Sequence, residues 1–183
     1  AVYAEECIAE GLVPIVEPEV LMDGAHTAAE AEETLVETLS VTIDALNARD
    51  IDLRSVIIKT SMAVSGKDAS VRADSREVAE RTVRALTAAI PEETGGVVFL
   101  SGGQAPQEAT ENLNAIARLE PLPWDITFSF ARAIQGPALD AWRGLSDNVP
   151  DAQSIFLERL SLLTAADAAG YSKNAEEGSL QEL

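Results

Sequence analysis

The chain has one cysteine, Cys7, one histidine, His26, and three lysines, Lys59, Lys67 and Lys173. A lone cysteine excludes a disulfide within the chain and fits an intracellular, cytoplasmic setting. One histidine and one cysteine are too few for a zinc site, so no metal is expected. No apolar run approaches the roughly 18 residues of a membrane span, and no signal-peptide pattern is visible. Basic residues are scarce too: 13 against 31 acidic ones, for a net charge of −18. Nucleic acid and anionic membranes would be repelled, so neither is expected as a partner. Trp124 and Trp142 are expected to pack, Cys7 to be a small core residue, and His26 to be structural.

What is present is enough apolar material for one domain. The chain has 183 residues, 46% of them hydrophobic, which suffices to bury a real core. Ten arginines against three lysines, with so much acid, fit a high-salt or high-GC source. Residues 1–10 read as the tail of a helix, with Tyr3 and Ile8 its larger apolar residues. The chain is therefore expected to begin inside a larger domain.

Four apolar runs alternate with helical patterns. The runs are Leu12-Val13-Pro14-Ile15-Val16, Val56-Ile57-Ile58, Gly96-Val97-Val98-Phe99-Leu100 and Asp125-Ile126-Thr127-Phe128-Ser129-Phe130. Near-continuous apolar runs suit parallel strands. Thr27 to Glu30 has capping-box spacing and opens a helix with Leu35, Leu39, Ile43 and Leu46 on one face. Ser75 is expected to cap a second helix carrying Ala79, Val83, Leu86 and Ile90. A third follows Pro106 with Ala109, Leu113 and Ile116 inward. A fourth runs from Ala131 to Trp142, where Pro137 should start or kink a turn. A last one runs from Asp151 to Ala169, and residues 173–183 form a polar, mobile tail. Repeated βα units imply an α/β fold with a parallel sheet, either open and doubly wound or part of a (β/α)8 barrel.

Polar groups gather at the C-terminal ends of the runs, the habit of barrels and shared by open sheets. Lys59 follows Ile57 and Ile58. An ammonium there costs several kcal/mol to desolvate unless it is paired or neutral, and a desolvated lysine is a Schiff-base nucleophile. The plain alternative is a strand-end lysine in solvent. Glu17 and Glu19 flank Pro18 just past the first run, and alternation sends both to one side. Two close carboxylates suit acid/base work; they equally suit a solvated strand end. Ser101, Gly102 and Gly103 end the third run in a turn before a helix, which either binds phosphate or is an ordinary tight turn. Arg132, after Ser129, can fork onto a phosphate or pair with a neighbouring acid.

Taken together, these motifs resemble class I fructose-bisphosphate aldolase. The resemblance is carried by Gly11-Leu-Val-Pro-Ile-Val-Glu-Pro-Glu-Val20, Ile57-Ile-Lys-Thr-Ser-Met62, Phe99-Leu-Ser-Gly-Gly-Gln104 with Asn112-Leu-Asn-Ala-Ile116, and Trp124-Asp-Ile-Thr-Phe-Ser-Phe-Ala-Arg132. Glu17 stands 42 residues before Lys59 and Ser101 stands 42 after it. The resemblance implies aldol cleavage of fructose 1,6-bisphosphate through a Lys59 Schiff base, without metal or cofactor. It implies Glu17 as acid/base, Glu19 as its hydrogen-bonding tuner, Ser101, Gly102 and Gly103 as a phosphate cradle, and Ser129 and Arg132 as its helpers. It also implies a phosphorylated ketose as partner and a homo-oligomer, a tetramer in the family, for a full-length protein.

The chain departs from the family in three ways. Thr60 and Ser61 stand where the family has proline and asparagine. The tail lacks the terminal tyrosine of eukaryotic members, which points to a bacterial-type one. The resemblance covers only the last four βα units, residues 1–172, so a half barrel with two free edges is expected. Such a piece should self-associate and turn over weakly by itself. The rival readings are a catalytically silent scaffold and another Schiff-base barrel such as a transaldolase.

Overall fold

The computed structural model describes residues 1–174. Four short strands, β1 (Ile15–Val16), β2 (Ile57–Thr60), β3 (Gly96–Phe99) and β4 (Ile126–Phe128), form one sheet in the order β1-β2-β3-β4. All three pairings are parallel, with Ile15 beside Ile57, Lys59 beside Val98, and Val98 beside Thr127. The helices are α1 (Val2–Ala9), α2 (Ala28–Asn47), α3 (Ser75–Ala89), α4 (Pro106–Ala117), α5 (Arg132–Trp142) and α6 (Val149–Asp167). Each pair of neighbouring strands is joined through a helix, as parallel pairing requires.

Side chains alternate across each strand, and the register lines them up. Ile58, Thr60, Val97, Phe99 and Ile126 share the face that α2, α3 and α4 cover, and all are buried. Leu35, Leu39, Leu46, Leu86, Leu113 and Ile116 meet them from the helices, each about 1% exposed or less. Burying one such side chain is worth about 1.5–3 kcal/mol, so this layer holds the sheet. The opposite face carries Ile15, Ile57, Lys59, Gly96, Val98 and Thr127. It is less covered: among the described residues Asp167, at the end of α6, reaches Thr127, while Ile15 is 45% exposed.

Local sequence explains most element ends. Thr27 Oγ1 accepts from Glu30 N while Glu30 Oε2 accepts from Thr27 N, which completes the expected capping box. The cap of α3 is Asp74, not Ser75. Its Oδ1 accepts from Glu77 N at 2.8 Å, and Ser75 is the first helical residue. A carboxylate is the stronger acceptor, and its charge suits the positive helix end. Pro137 lies inside α5 without ending it. Gly136, with no Cβ to meet the proline ring, lets the helix continue. The first apolar run is only partly strand: Leu12 and Val13 precede β1 and are 62% and 64% exposed. Cys7 is only half-buried and Trp142 is 41% exposed, so neither is a core residue. Trp124 is buried and donates from Nε1 to the Pro91 carbonyl. Tyr3 and Ile8 on α1 are exposed. Lys173 pairs with Glu111 at 2.9 Å, so the stretch expected to be a tail starts anchored; the rest of it, residues 175–183, lies outside the described residues.

Candidate active site

The C-terminal ends of the four strands collect the polar residues. Lys59 stands on the open face of β2 with its side chain 19% exposed. Its Nζ lies 3.0 Å from Glu17 Oε1, and the Glu17 side chain is 46% exposed. The ammonium that the apolar run could not satisfy is therefore paired across the β1–β2 boundary. Glu17 follows directly on β1, on the same side as Lys59.

Glu19 goes elsewhere. It lines a shallow recess with Val20, Leu21, His26, Thr34 and Thr38, beside α2. Among the described residues no ion pair joins it to Lys59. β1 ends at Val16, so no strand pairing fixes where Glu19 points. Of the two carboxylates, Glu17 is the one that pairs with Lys59.

The segment after β1 is held by the segment after β2. Val20 N donates to Ser61 Oγ at 2.9 Å, and Ser61 Oγ donates to Val20 O at 3.1 Å. Further on, the backbone amides of Gly66, Lys67 and Asp68 donate to the carbonyls of His26, Met22 and Gly24. Lys67 also pairs with Asp23, which holds the Asp23 carboxyl below its usual range. Gly66 has to be glycine: a Cβ there would sit 2.3 Å from Gly24 O. His26 contributes a backbone acceptor to this joint, in keeping with a structural role. Thr82 of α3 anchors the β2 side, its Oγ1 accepting from Ala63 N at 2.9 Å.

After β3 the chain turns at Ser101-Gly102-Gly103-Gln104. Gln104 N donates to Ser101 O at 2.9 Å, and Gly102 and Gly103 have φ of +57° and +89°. Positive φ at both central positions marks a type I′ turn, which glycine adopts without strain. Gln104 fixes the turn from beneath, as Asn112 Nδ2 donates to Gln104 Oε1 at 2.7 Å. Ser101 is buried. β4 adds the last parts: Ser129 N donates to Phe99 O, and Arg132 opens α5. A Cβ on Gly103 would lie 3.9 Å from Arg132 Nη2, so the guanidinium stands over the glycine turn. A glycine turn facing a guanidinium is an arrangement that suits an anion.

Sequence reasoning put Lys59, Glu17, the Ser101–Gly103 turn, Ser129 and Arg132 at one end of the sheet, and all are there. It missed Ser61, Gly66 and Gln104, which hold that end together. Gln104 and Asn112 stood in the motifs without a structural task, and Ser61 was visible only as a departure from the family.

A lysine paired with a carboxylate and a glycine turn facing an arginine thus stand at the C-terminal ends of a parallel βα sheet, which makes this an α/β chain with its polar groups at one end of the strands. The family model for fructose-bisphosphate aldolase class-I matches residues 1–183, and the chain belongs to that family. It is 41% identical over 180 residues to fructose-bisphosphate aldolase of Dictyostelium discoideum, covering 98% of this chain and 50% of that one. It is 43% identical over 158 residues to the probable fructose-bisphosphate aldolase class 1 of Xylella fastidiosa strain 9a5c, covering 86% and 47%. Among solved structures, Plasmodium falciparum fructose-bisphosphate aldolase, in a complex with TRAP and a small-molecule inhibitor, superposes with a TM-score of 0.89. The two are 38% identical, and the match covers 93% of this chain and 49% of that one. The chain spans about half the length of the relatives it matches, and its four parallel strands are half of the barrel.

Proposed function

We propose that this chain carries the Schiff-base half of an aldolase active site, for reversible cleavage of fructose 1,6-bisphosphate to dihydroxyacetone phosphate and glyceraldehyde 3-phosphate. The supporting observation is the lysine on the open sheet face with a carboxylate 3.0 Å from its nitrogen. Lys59 attacks the ketose carbonyl as the free amine, and Glu17 moves the protons that turn the carbinolamine into an iminium and water. The iminium takes up the electron pair when the carbon–carbon bond breaks, as the neighbouring hydroxyl loses its proton to become the aldehyde. Protonation and hydrolysis of the resulting enamine release the ketone and restore the lysine. No metal is needed, since the protonated imine is the electron sink. Ser101, Gly102, Gly103, Ser129 and Arg132 bind one substrate phosphate, and Glu19 tunes the carboxylate segment from the α2 side. The full protein works in the cytoplasm as a homo-oligomer.

Incubation with dihydroxyacetone phosphate, borohydride reduction and peptide mass spectrometry test this. An adduct on Lys59 is expected. No adduct, or one confined to Lys67 or Lys173, overturns the assignment. Slow or absent turnover is expected of the 183 residues alone.

A further inference from the structure

The ladder between β1 and β2 is short. It pairs Ile15 with Ile57 and Val16 with Ile58 and then stops. Pro18 has no N–H to continue it. Glu17 and Glu19 therefore sit on a segment that no strand pairing holds, yet Glu17 lies 3.0 Å from Lys59. Val20 closes that segment, and it is tied back to the β2 side by one side chain. Ser61 Oγ accepts from Val20 N at 2.9 Å and donates to Val20 O at 3.1 Å. A hydroxyl both donates and accepts, so one serine replaces the two backbone groups of a missing strand partner. Ser61 is 4% exposed, so both bonds are partly sheltered from water. It is also two residues past Lys59, so it fastens the carboxylate segment to the strand that bears the lysine.

We propose that Ser61 is a positioning residue that sets the Glu17 carboxylate against the Lys59 amine. The inference rests on the functional reading for its meaning in catalysis, but its geometry can be tested without substrate. Ser61→Ala removes both bonds and leaves Val20 N–H and C=O to drift toward solvent, so Glu17 loses its fixed place. Ser61→Thr keeps the hydroxyl.

The test is a double-mutant cycle on the full chain, with the rate of Lys59 labelling by a neutral acylating reagent at fixed pH as readout. The four proteins are wild type, Ser61→Ala, Glu17→Gln and the double variant, and peptide mass spectrometry follows Lys59 and Lys67 separately. Glu17→Gln is expected to change the Lys59 rate by about tenfold, mid-range for groups in one interacting network. Ser61→Ala should change it in the same direction and by a similar factor, and the double variant should add nothing further. Lys67 should label equally in all four, and Ser61→Thr should stay close to wild type. Additive effects, a wild-type rate in Ser61→Ala, or equal Lys59 rates in all four proteins overturn the proposal. Loss in Ser61→Thr as deep as in Ser61→Ala overturns it as well, since packing would then be the cause. Borohydride trapping with dihydroxyacetone phosphate, run on the same proteins, reports separately on the functional reading. Failure of the wild type to trap substrate sinks that reading and leaves the cycle to judge Ser61.

Discussion

Replacing Gly66 with alanine should open the joint between the segments that follow β1 and β2. The new Cβ would stand 2.3 Å from Gly24 O and 2.8 Å from Gly24 C, both backbone atoms. Ordinary contact begins near 3.4 Å, so the two segments must part by about 1 Å. Three bonds cross that gap: Gly66 N to His26 O and Lys67 N to Met22 O at 2.8 Å, and Asp68 N to Gly24 O at 2.9 Å. Stretched by that amount they exceed hydrogen-bond length. Each contributes about 1 kcal/mol net, so the expected loss is about 3 kcal/mol. Against a typical domain stability of about 5–15 kcal/mol this is large. Gly11→Ala is the control. Gly11 has φ +74° and nothing within 4 Å of a Cβ, so its cost is conformational alone, about 1 kcal/mol. Urea unfolding followed by circular dichroism measures both. Equal midpoints for the two variants would refute the claim that backbone approach at Gly66 builds this joint.

Two acidic residues should give opposite pH signatures. The Arg84 guanidinium, with burial opposing and Arg81 adding, holds Glu32 below its ordinary 4.5. A lowered folded-state value means that this stabilisation is complete above 4.5 and lost as pH falls through the folded value. Glu32→Gln should therefore lower the urea midpoint at pH 7, and that loss should shrink as pH falls below 4.5 through the folded value. Burial raises Asp167 above its ordinary 3.8, with an interaction from Thr127 opposing, and its Oδ1 is shielded without a hydrogen-bond partner. Its folded form favours the proton, so stability falls as pH rises from 3.8 through the folded value. Asp167→Asn should raise the midpoint at pH 7 and lose that advantage in acid. The open sheet face and the exposed Leu12, Val13 and Ile15 should drive self-association. Sedimentation velocity should show mass rising with concentration, and a strict monomer across that range would count against the open face.

The order of strands and helices was legible because each signal is local. Apolar runs, the Thr27 capping box and the Pro106 helix start depend on neighbours in sequence; the structure keeps the last two, and each run holds a strand, the first only in part. Ser75 was misread as a cap because Asp74 and Ser75 are adjacent and both able; the backbone turns extended at Asp74. Trp142 was misread because an aromatic residue on a helix does not reveal whether that helix has a neighbour on that side. At the site, residue type and strand-end position singled out Lys59, Glu17 and the Ser101–Gly103 turn.

By itself the sequence determined the parallel βα order, the family, and which side chains have the chemistry. Periodicity, charge and motif spacing carry that information along the chain. Tertiary structure decided who meets whom. It paired Lys59 with Glu17 and left Glu19 in a recess with His26, because the β1 ladder ends at Val16 and nothing in strand pairing aligns both acids. It set Arg132 over Gly103 across the β3–β4 boundary. It also gave Ser61 and Gly66 their tasks, which rest on contacts 41 residues apart for Ser61 and Val20. Such contacts follow from which strands lie side by side, and no local pattern states them.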